Sequence, residues 1–95
     1  MPHDQALIVA RDGALRATLT GHTNRVHAVT IAPDGTWPAT ASADKTARIW
    51  AADGALRATL TGHTAVVDAA AIAADGTWLA TAGRDNTARI WAASG

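Results

Sequence analysis

Cysteine is absent from this chain of 95 residues. That excludes a disulfide framework, a thiolate nucleophile and a cysteine metal site. Glutamate, phenylalanine and tyrosine are missing as well, so every acidic side chain is an aspartate and, histidine apart, every aromatic ring belongs to one of four tryptophans. Charge of either sign is scarce: eight Lys+Arg against eight Asp leave a net charge of zero. This removes the basic surface on which nucleic-acid affinity rests. No apolar run approaches the roughly 18 residues of a membrane-spanning helix. The opening Met1-Pro2-His3-Asp4 lacks the charged-then-apolar layout of a secretory leader. The expectation is a cytoplasmic protein with no membrane and no nucleic-acid partner. What the chain does have is apolar residues, 48% of the total, enough for one folded domain and too many for a disordered segment.

The sequence is one unit written twice. Sliding it by 41 positions aligns Ala10–Trp50 with Ala51–Trp91, and 30 of the 41 positions are identical. Asp12–Thr23 and Asp53–Thr64 both read DGALRATLTGHT, and Thr46–Trp50 and Thr87–Trp91 both read TARIW. Such similarity means a recent duplication or deliberate engineering. Self-similarity at this period is the signature of a repeat architecture. The expected organisation is an N-terminal extension over 1–11, a first repeat over 12–52 and a second over 53–95.

Within each unit the texture is β. DG pairs at Asp12-Gly13, Asp34-Gly35, Asp53-Gly54 and Asp75-Gly76 separate short apolar runs, a strong local hairpin signal. Further turns are expected at Ala43-Asp44-Lys45 and Arg84-Asp85-Asn86. The 25 alanines favour helix, but turn signals recur too often to leave a window for a stable one. The reading is all-β, four strands per repeat: about Ala14–Thr20, Val26–Ala32, Thr36–Ser42 and Thr46–Ala51, then Ala55–Thr61, Val67–Ala73, Thr77–Gly83 and Thr87–Ala92. Val26, Val29 and Ile31 do not alternate strictly, which predicts a bulge early in that strand.

Gly21-His22 and Gly62-His63, Pro33-Asp34-Gly35 and Ala74-Asp75-Gly76, and Ile49-Trp50 and Ile90-Trp91 occur twice in one order and spacing. The pattern resembles the WD40 repeat, whose period of about 40–45 residues builds a four-stranded propeller blade. One departure is that Ala51 and Ala92 stand where the family often carries the acid after the tryptophan. The resemblance implies a buried His–Thr–Asp–Trp tetrad in each blade: His22, Thr40, Asp44 and Trp50, then His63, Thr81, Asp85 and Trp91. An indole N–H buried in a thin blade needs an acceptor, and hydroxyl, imidazole and carboxylate in series satisfy one another. Ser42, two residues from Thr40 on the same face, competes for its place. Arg16, Arg48, Arg57 and Arg89 recur with the period and read as surface stems.

Propellers have about 4–8 blades, and repeat architectures need about three units or more before burial outweighs chain entropy. The two-blade chain is therefore expected to be a fragment of a longer propeller or a self-assembling subunit. The strand order favours assembly: an outer strand opens the chain, and the last blade lacks one. A head-to-tail contact between copies supplies it and closes into a ring if the rotation allows. Four copies give eight blades and three give six. The short side chains between blades favour the flatter ring of four. Ala6–Gly13 (ALIVARDG) aligns with Ala47–Gly54 (ARIWAADG) as a degenerate last strand with Val9 in the tryptophan position. In a ring it competes with the neighbour's Thr87–Ala92 for one edge, and the neighbour is expected to win.

The chemistry expected is recognition, not catalysis. The His, Thr and Asp of each repeat could suggest a triad, but a set repeated with a Trp in every blade reads as scaffold. No nucleophile elbow, phosphate-cradling loop or zinc helix is present, and no cofactor is implied. His27 and Asp68 fall at equivalent positions near the channel-lining strand. A metal-dependent catalyst on the ring axis is thus the alternative of a different class. The loops that the family commonly uses for peptides carry Asn24, Arg25 and Lys45 in one repeat and Ala65, Val66, Arg84 and Asn86 in the other. These are positions where the repeats differ, as suits a recognition rim for a peptide or protein ligand. A further alternative is a piece of a longer bacterial signalling protein with the propeller as its sensor. His3 is expected to lie off the fold.

Overall fold

The computed structural model describes residues 3–9 and 13–94, and they contain strands and turns with no helix. The strands are β1 (Ala6–Val9), β2 (Leu15–Leu19), β3 (Val26–Ile31), β4 (Pro38–Ser42), β5 (Ala47–Trp50), β6 (Leu56–Leu60), β7 (Val67–Ile72), β8 (Trp78–Gly83) and β9 (Ala88–Ala92). They form three antiparallel sheets: β1-β2, β3-β4-β5-β6 and β7-β8-β9. The predicted strands agree with these within two residues at each end. The register shifts between Val26 and Ala28, where the broken alternation predicts a bulge, and the second repeat has the same shift between Val67 and Ala69. Of the first DG pair only Gly13 is described; Asp12 lies outside the described residues, as do Met1, Pro2, Ala10, Arg11 and Gly95, so the outer limits of the expected repeats fall there too.

The turns explain themselves chemically. At the β3–β4 end, Asp34 Oδ1 accepts hydrogen bonds from the backbone N–H of Thr36 at 3.0 Å and its hydroxyl at 2.7 Å. Gly35 supplies the left-handed residue at φ 76°, which carries no penalty without a Cβ. Asp75 and Thr77 repeat the arrangement at 3.0 and 2.8 Å.

Alternation then decides the packing. Ile49 and Trp50 are neighbours on β5, so they point to opposite faces of the four-stranded sheet. The Trp50 face receives Ala6, Ile8 and Leu19 of the two-stranded sheet. The other face, with Trp37, Ala39, Ala47, Ile49 and Leu60, receives Leu79, Ile72 and Trp91 of the three-stranded sheet. The three sheets are therefore stacked in chain order, each setting its tryptophan-type face against the alanine-and-isoleucine face of the sheet before it.

One expectation is overturned for the single chain. The segment Ala6–Val9 is not displaced: it pairs with β2 in the register Ala6↔Leu19, Leu7↔Thr18, Ile8↔Ala17 and Val9↔Leu15. Within one chain the short tether keeps β1 at high effective concentration beside that edge, and β9 of the same chain sits at the far end of the stack.

Candidate functional site

Each of the two larger sheets holds a relay of side chains. Trp50 Nε1–H donates to Thr40 Oγ1 at 2.9 Å, and Thr40 Oγ1 lies 2.6 Å from His22 Nε2. His22 Nδ1 in turn lies 2.8 Å from Asp44 Oδ2. Only one proton arrangement satisfies every member: indole to hydroxyl, hydroxyl to Nε2, and Nδ1–H to carboxylate. His22 is thus neutral, and burial pushes its pKa below the ordinary value, outweighing the opposite pull of Asp44. In the second sheet the corresponding distances are 2.8 Å for Trp91–Thr81, 2.8 Å for Thr81–His63 and 3.0 Å for His63–Asp85.

The aspartates tie the relay to the loops. Asp44 also accepts from the N–H of Thr23, at 3.1 Å, and from the N–H and hydroxyl of Thr46, at 2.9 and 2.6 Å. Burial alone would raise this carboxyl, but the hydrogen bonds from Thr46, His22 and Thr23 together hold its pKa at about 2. Asp85 is held well below the carboxylate range chiefly by the Thr87 hydroxyl, with Thr64 N–H and His63 adding to it. Ser42, the competitor for Thr40's place, takes a different task. Its hydroxyl donates to Arg25 O at 2.9 Å and accepts from Asp44 N–H at 3.1 Å.

The arginine stems differ from expectation in one pair. Arg48 and Arg89 are half-buried, and their Nε atoms are buried without a hydrogen-bond partner among the described residues. Each guanidinium lies over a glycine beside the tryptophan ring: a Cβ on Gly21 would stand 2.6 Å from Arg48 Nη1 and 3.4 Å from Trp50. Arg48 sits directly opposite Thr40 across the β4–β5 pair, so the alternation that buries the tetrad draws it in. Arg16 and Arg57 are exposed.

The candidate rim residues lie in two pairs of loops, one pair in each repeat. Ala43 N–H donates to Arg25 O at 2.8 Å, and Arg84 N–H donates to Val66 O at 2.8 Å, clamping the two loops of each repeat side by side. Asn24, Arg25, Lys45, Arg84 and Asn86 are exposed, whereas Ala65 and Val66 are half-buried. Lys45 and Asn86 stand at φ 76° and 66°, left-handed positions that asparagine tolerates better than lysine. Sequence reasoning left out the N-terminal segment, which belongs to this rim. His3 O accepts from Val26 N–H at 2.7 Å, and His3 and Asp4 line a depression with Thr23, Asn24 and Arg25. Only the backbone carbonyl of His3 makes that bond, so residue type carried no signal of it.

His27 and Asp68 are not brought together as a ligand set. Asp68 is engaged by Arg84 Nε at 3.1 Å, His27 is exposed on β3, and no group of three metal-capable side chains occurs among the described residues. Nor is any helix among them long and apolar enough to cross a membrane.

Comparison with known protein families agrees with this geometry. The family model described as WD domain, G-beta repeat matches residues 3–51 and 54–92. The second match takes the outer strand β6 together with β7, β8 and β9 of the next sheet, and the first takes β1 and β2 together with β3, β4 and β5. With nearly the whole chain matched in two repeats, the protein belongs to the WD40 family.

Proposed function

We propose that this WD40 chain is a non-enzymatic, self-assembling propeller subunit that serves as a protein-interaction scaffold. WD40 repeats generally mediate protein–protein interaction, and the finer reading rests on one observation. Two surfaces that are covered in one repeat are bare in the other. Ile49 and Trp37 are 0% and 6% exposed, but their counterparts Ile90 and Trp78 are 69% and 42% exposed. Ala82 and Ala88 share that bare face. At the other end of the stack, Val29 and Ile31 are 44% and 53% exposed on the tryptophan face of the four-stranded sheet, because the two-stranded sheet covers only part of it. Inside the chain a face of the first kind packs on a face of the second kind. A second copy offers each face its complement. Burial of apolar surface contributes about 25 cal/mol per Å², so a contact on the scale of the internal one favours association. The contact is head-to-tail, and such a contact closes when its rotation allows. A ring of four copies, with eight blades, is the preferred closure, and three copies with six blades the next.

Light scattering on a sizing column tests this. A sharp species near 39 kDa, four times 9.7 kDa, fits the eight-bladed ring, and one near 29 kDa the six-bladed ring. Ile90→Lys, which places a charge on the bare face, reduces either to the single chain. A chain that stays monomeric at every concentration, both as wild type and with Ile8→Asp to loosen β1, refutes the proposal and favours a piece of a longer propeller. Within the assembly, the rim with Asn24, Arg25, Lys45, Ala65, Val66, Arg84 and Asn86 is the surface for a peptide or protein ligand.

A further inference from the structure

We infer that the edge of β2 now occupied by β1 is the docking site for β9 of a second copy, so that β1 is a displaceable strand holding the assembly open. This rests on the self-assembly reading above. The pair β5–β6 is the template for the contact. Its strands read ARIW and LRATL and align as Ala47↔Leu60, Arg48↔Thr59, Ile49↔Ala58 and Trp50↔Leu56. The strand β2 also reads LRATL, and β9 begins ARIW. Both halves of an established pair therefore exist a second time in the chain, on strands that do not meet. β9 has no strand partner on its outer edge among the described residues.

The occupant of β2 imitates that pair. The β1–β2 register is the β5–β6 register moved by one repeat, including the shift before its last residue: Ile8 to Val9 in one, Ile49 to Trp50 in the other. Yet β1 holds on by little. Ala6 is buried and Ile8 half-buried against Trp50, but Leu7 and Val9 are 58% and 54% exposed. An incoming β9 brings the same backbone ladder, Ile90 in place of Ile8, and the whole bare face of its sheet to cover Val29 and Ile31. The tether favours β1 by an effective concentration on the order of mM, and the larger apolar contact favours β9. Exchange is therefore set by protein concentration, and the edge of β2 is paired in either state, as an exposed sheet edge should be.

The test uses the full chain, which has no cysteine of its own. Leu7 and Thr18 face each other across the β1–β2 ladder and are both exposed, so Leu7→Cys with Thr18→Cys staples β1 in place when oxidised. Ile8→Asp loosens β1 by setting a charge against Trp50. Mass is measured by light scattering over a concentration series. The oxidised pair should stay at the single-chain mass at concentrations roughly 100-fold above the wild-type midpoint, and reduction should restore assembly. Ile8→Asp should assemble at lower concentration than wild type, including the case where the wild type stays monomeric. If the oxidised pair assembles as readily as the reduced one, the β2 edge is not the docking site, while self-assembly through the faces stands. If wild type and Ile8→Asp both remain single chains at every concentration, self-assembly itself is refuted and this inference with it.

Discussion

Replacing Thr40 by valine removes one hydroxyl and almost no volume, and it breaks the first relay at its centre. Trp50 Nε1–H loses its acceptor at 2.9 Å and His22 Nε2 loses its donor at 2.6 Å. Trp50 is 1% exposed and His22 is 4% exposed, so water cannot replace either partner. Each orphaned buried polar group costs about 1–3 kcal/mol, giving about 2–6 kcal/mol for the pair. A domain of this size has about 5–15 kcal/mol in all. The matching change Thr81→Val strikes the same chemistry in a different setting. Trp91 is only half-buried, so its N–H regains a water partner, and the loss falls to about 1–3 kcal/mol from His63 alone. Urea unfolding followed by tryptophan fluorescence, in dilute single-chain solution, measures both. Thr40→Val should lose more than Thr81→Val by about 1 kcal/mol or more. Equal losses, or a Thr40→Val variant within about 0.5 kcal/mol of wild type, would refute the argument that burial of the indole decides what the relay contributes.

Two further outcomes follow from the same geometry. Stability should fall on acidification in two stages. Burial lowers the pKa of His22 in the fold, so below its ordinary value of 6.5 the unfolded chain takes up the proton first. Its contribution is therefore complete above 6.5 and declines as pH falls beneath it. Asp44, at about 2 in the fold against an ordinary 3.8, contributes fully above 3.8 and loses that contribution as pH falls towards 2. A urea-midpoint series from pH 8 to 2 reads both stages, and a flat profile between pH 7 and 5 contradicts the neutral His22. Gly21→Ala should destabilise by about 1–3 kcal/mol, because φ at Gly21 is 147° and the added methyl meets Arg48 Nη1 at 2.6 Å. Thermal melts check it, and an unchanged melting temperature contradicts the close packing of Arg48.

Much of this architecture was legible because it is local. The DG pairs at Asp34, Asp53 and Asp75 lie in turns where aspartate caps the loop and glycine takes the left-handed position. The strands lie between them, and the bulge falls where Val26, Val29 and Ile31 fail to alternate. The relay residues were reachable through the family resemblance, since His22, Thr40, Asp44 and Trp50 keep their spacing in both repeats. Spacing did not choose between Thr40 and Ser42. The strand direction did, pointing Thr40 at the indole and Ser42 at the Arg25 carbonyl.

The sequence by itself determined the repeat, the strands and the turn chemistry, since these depend on residues within a few positions of one another. The tertiary structure alone decided partners. Ile49 and Ile90 sit in the same pentapeptide, TARIW, yet one is fully buried and the other 69% exposed, because burial depends on whether a second sheet lies over the face. Likewise, β1 and β9 both carry a strand that suits the edge of β2, and local sequence favours the one with tryptophan. Connectivity gave the edge to β1 instead, since a tethered strand meets it at an effective concentration that an untethered one must match from solution.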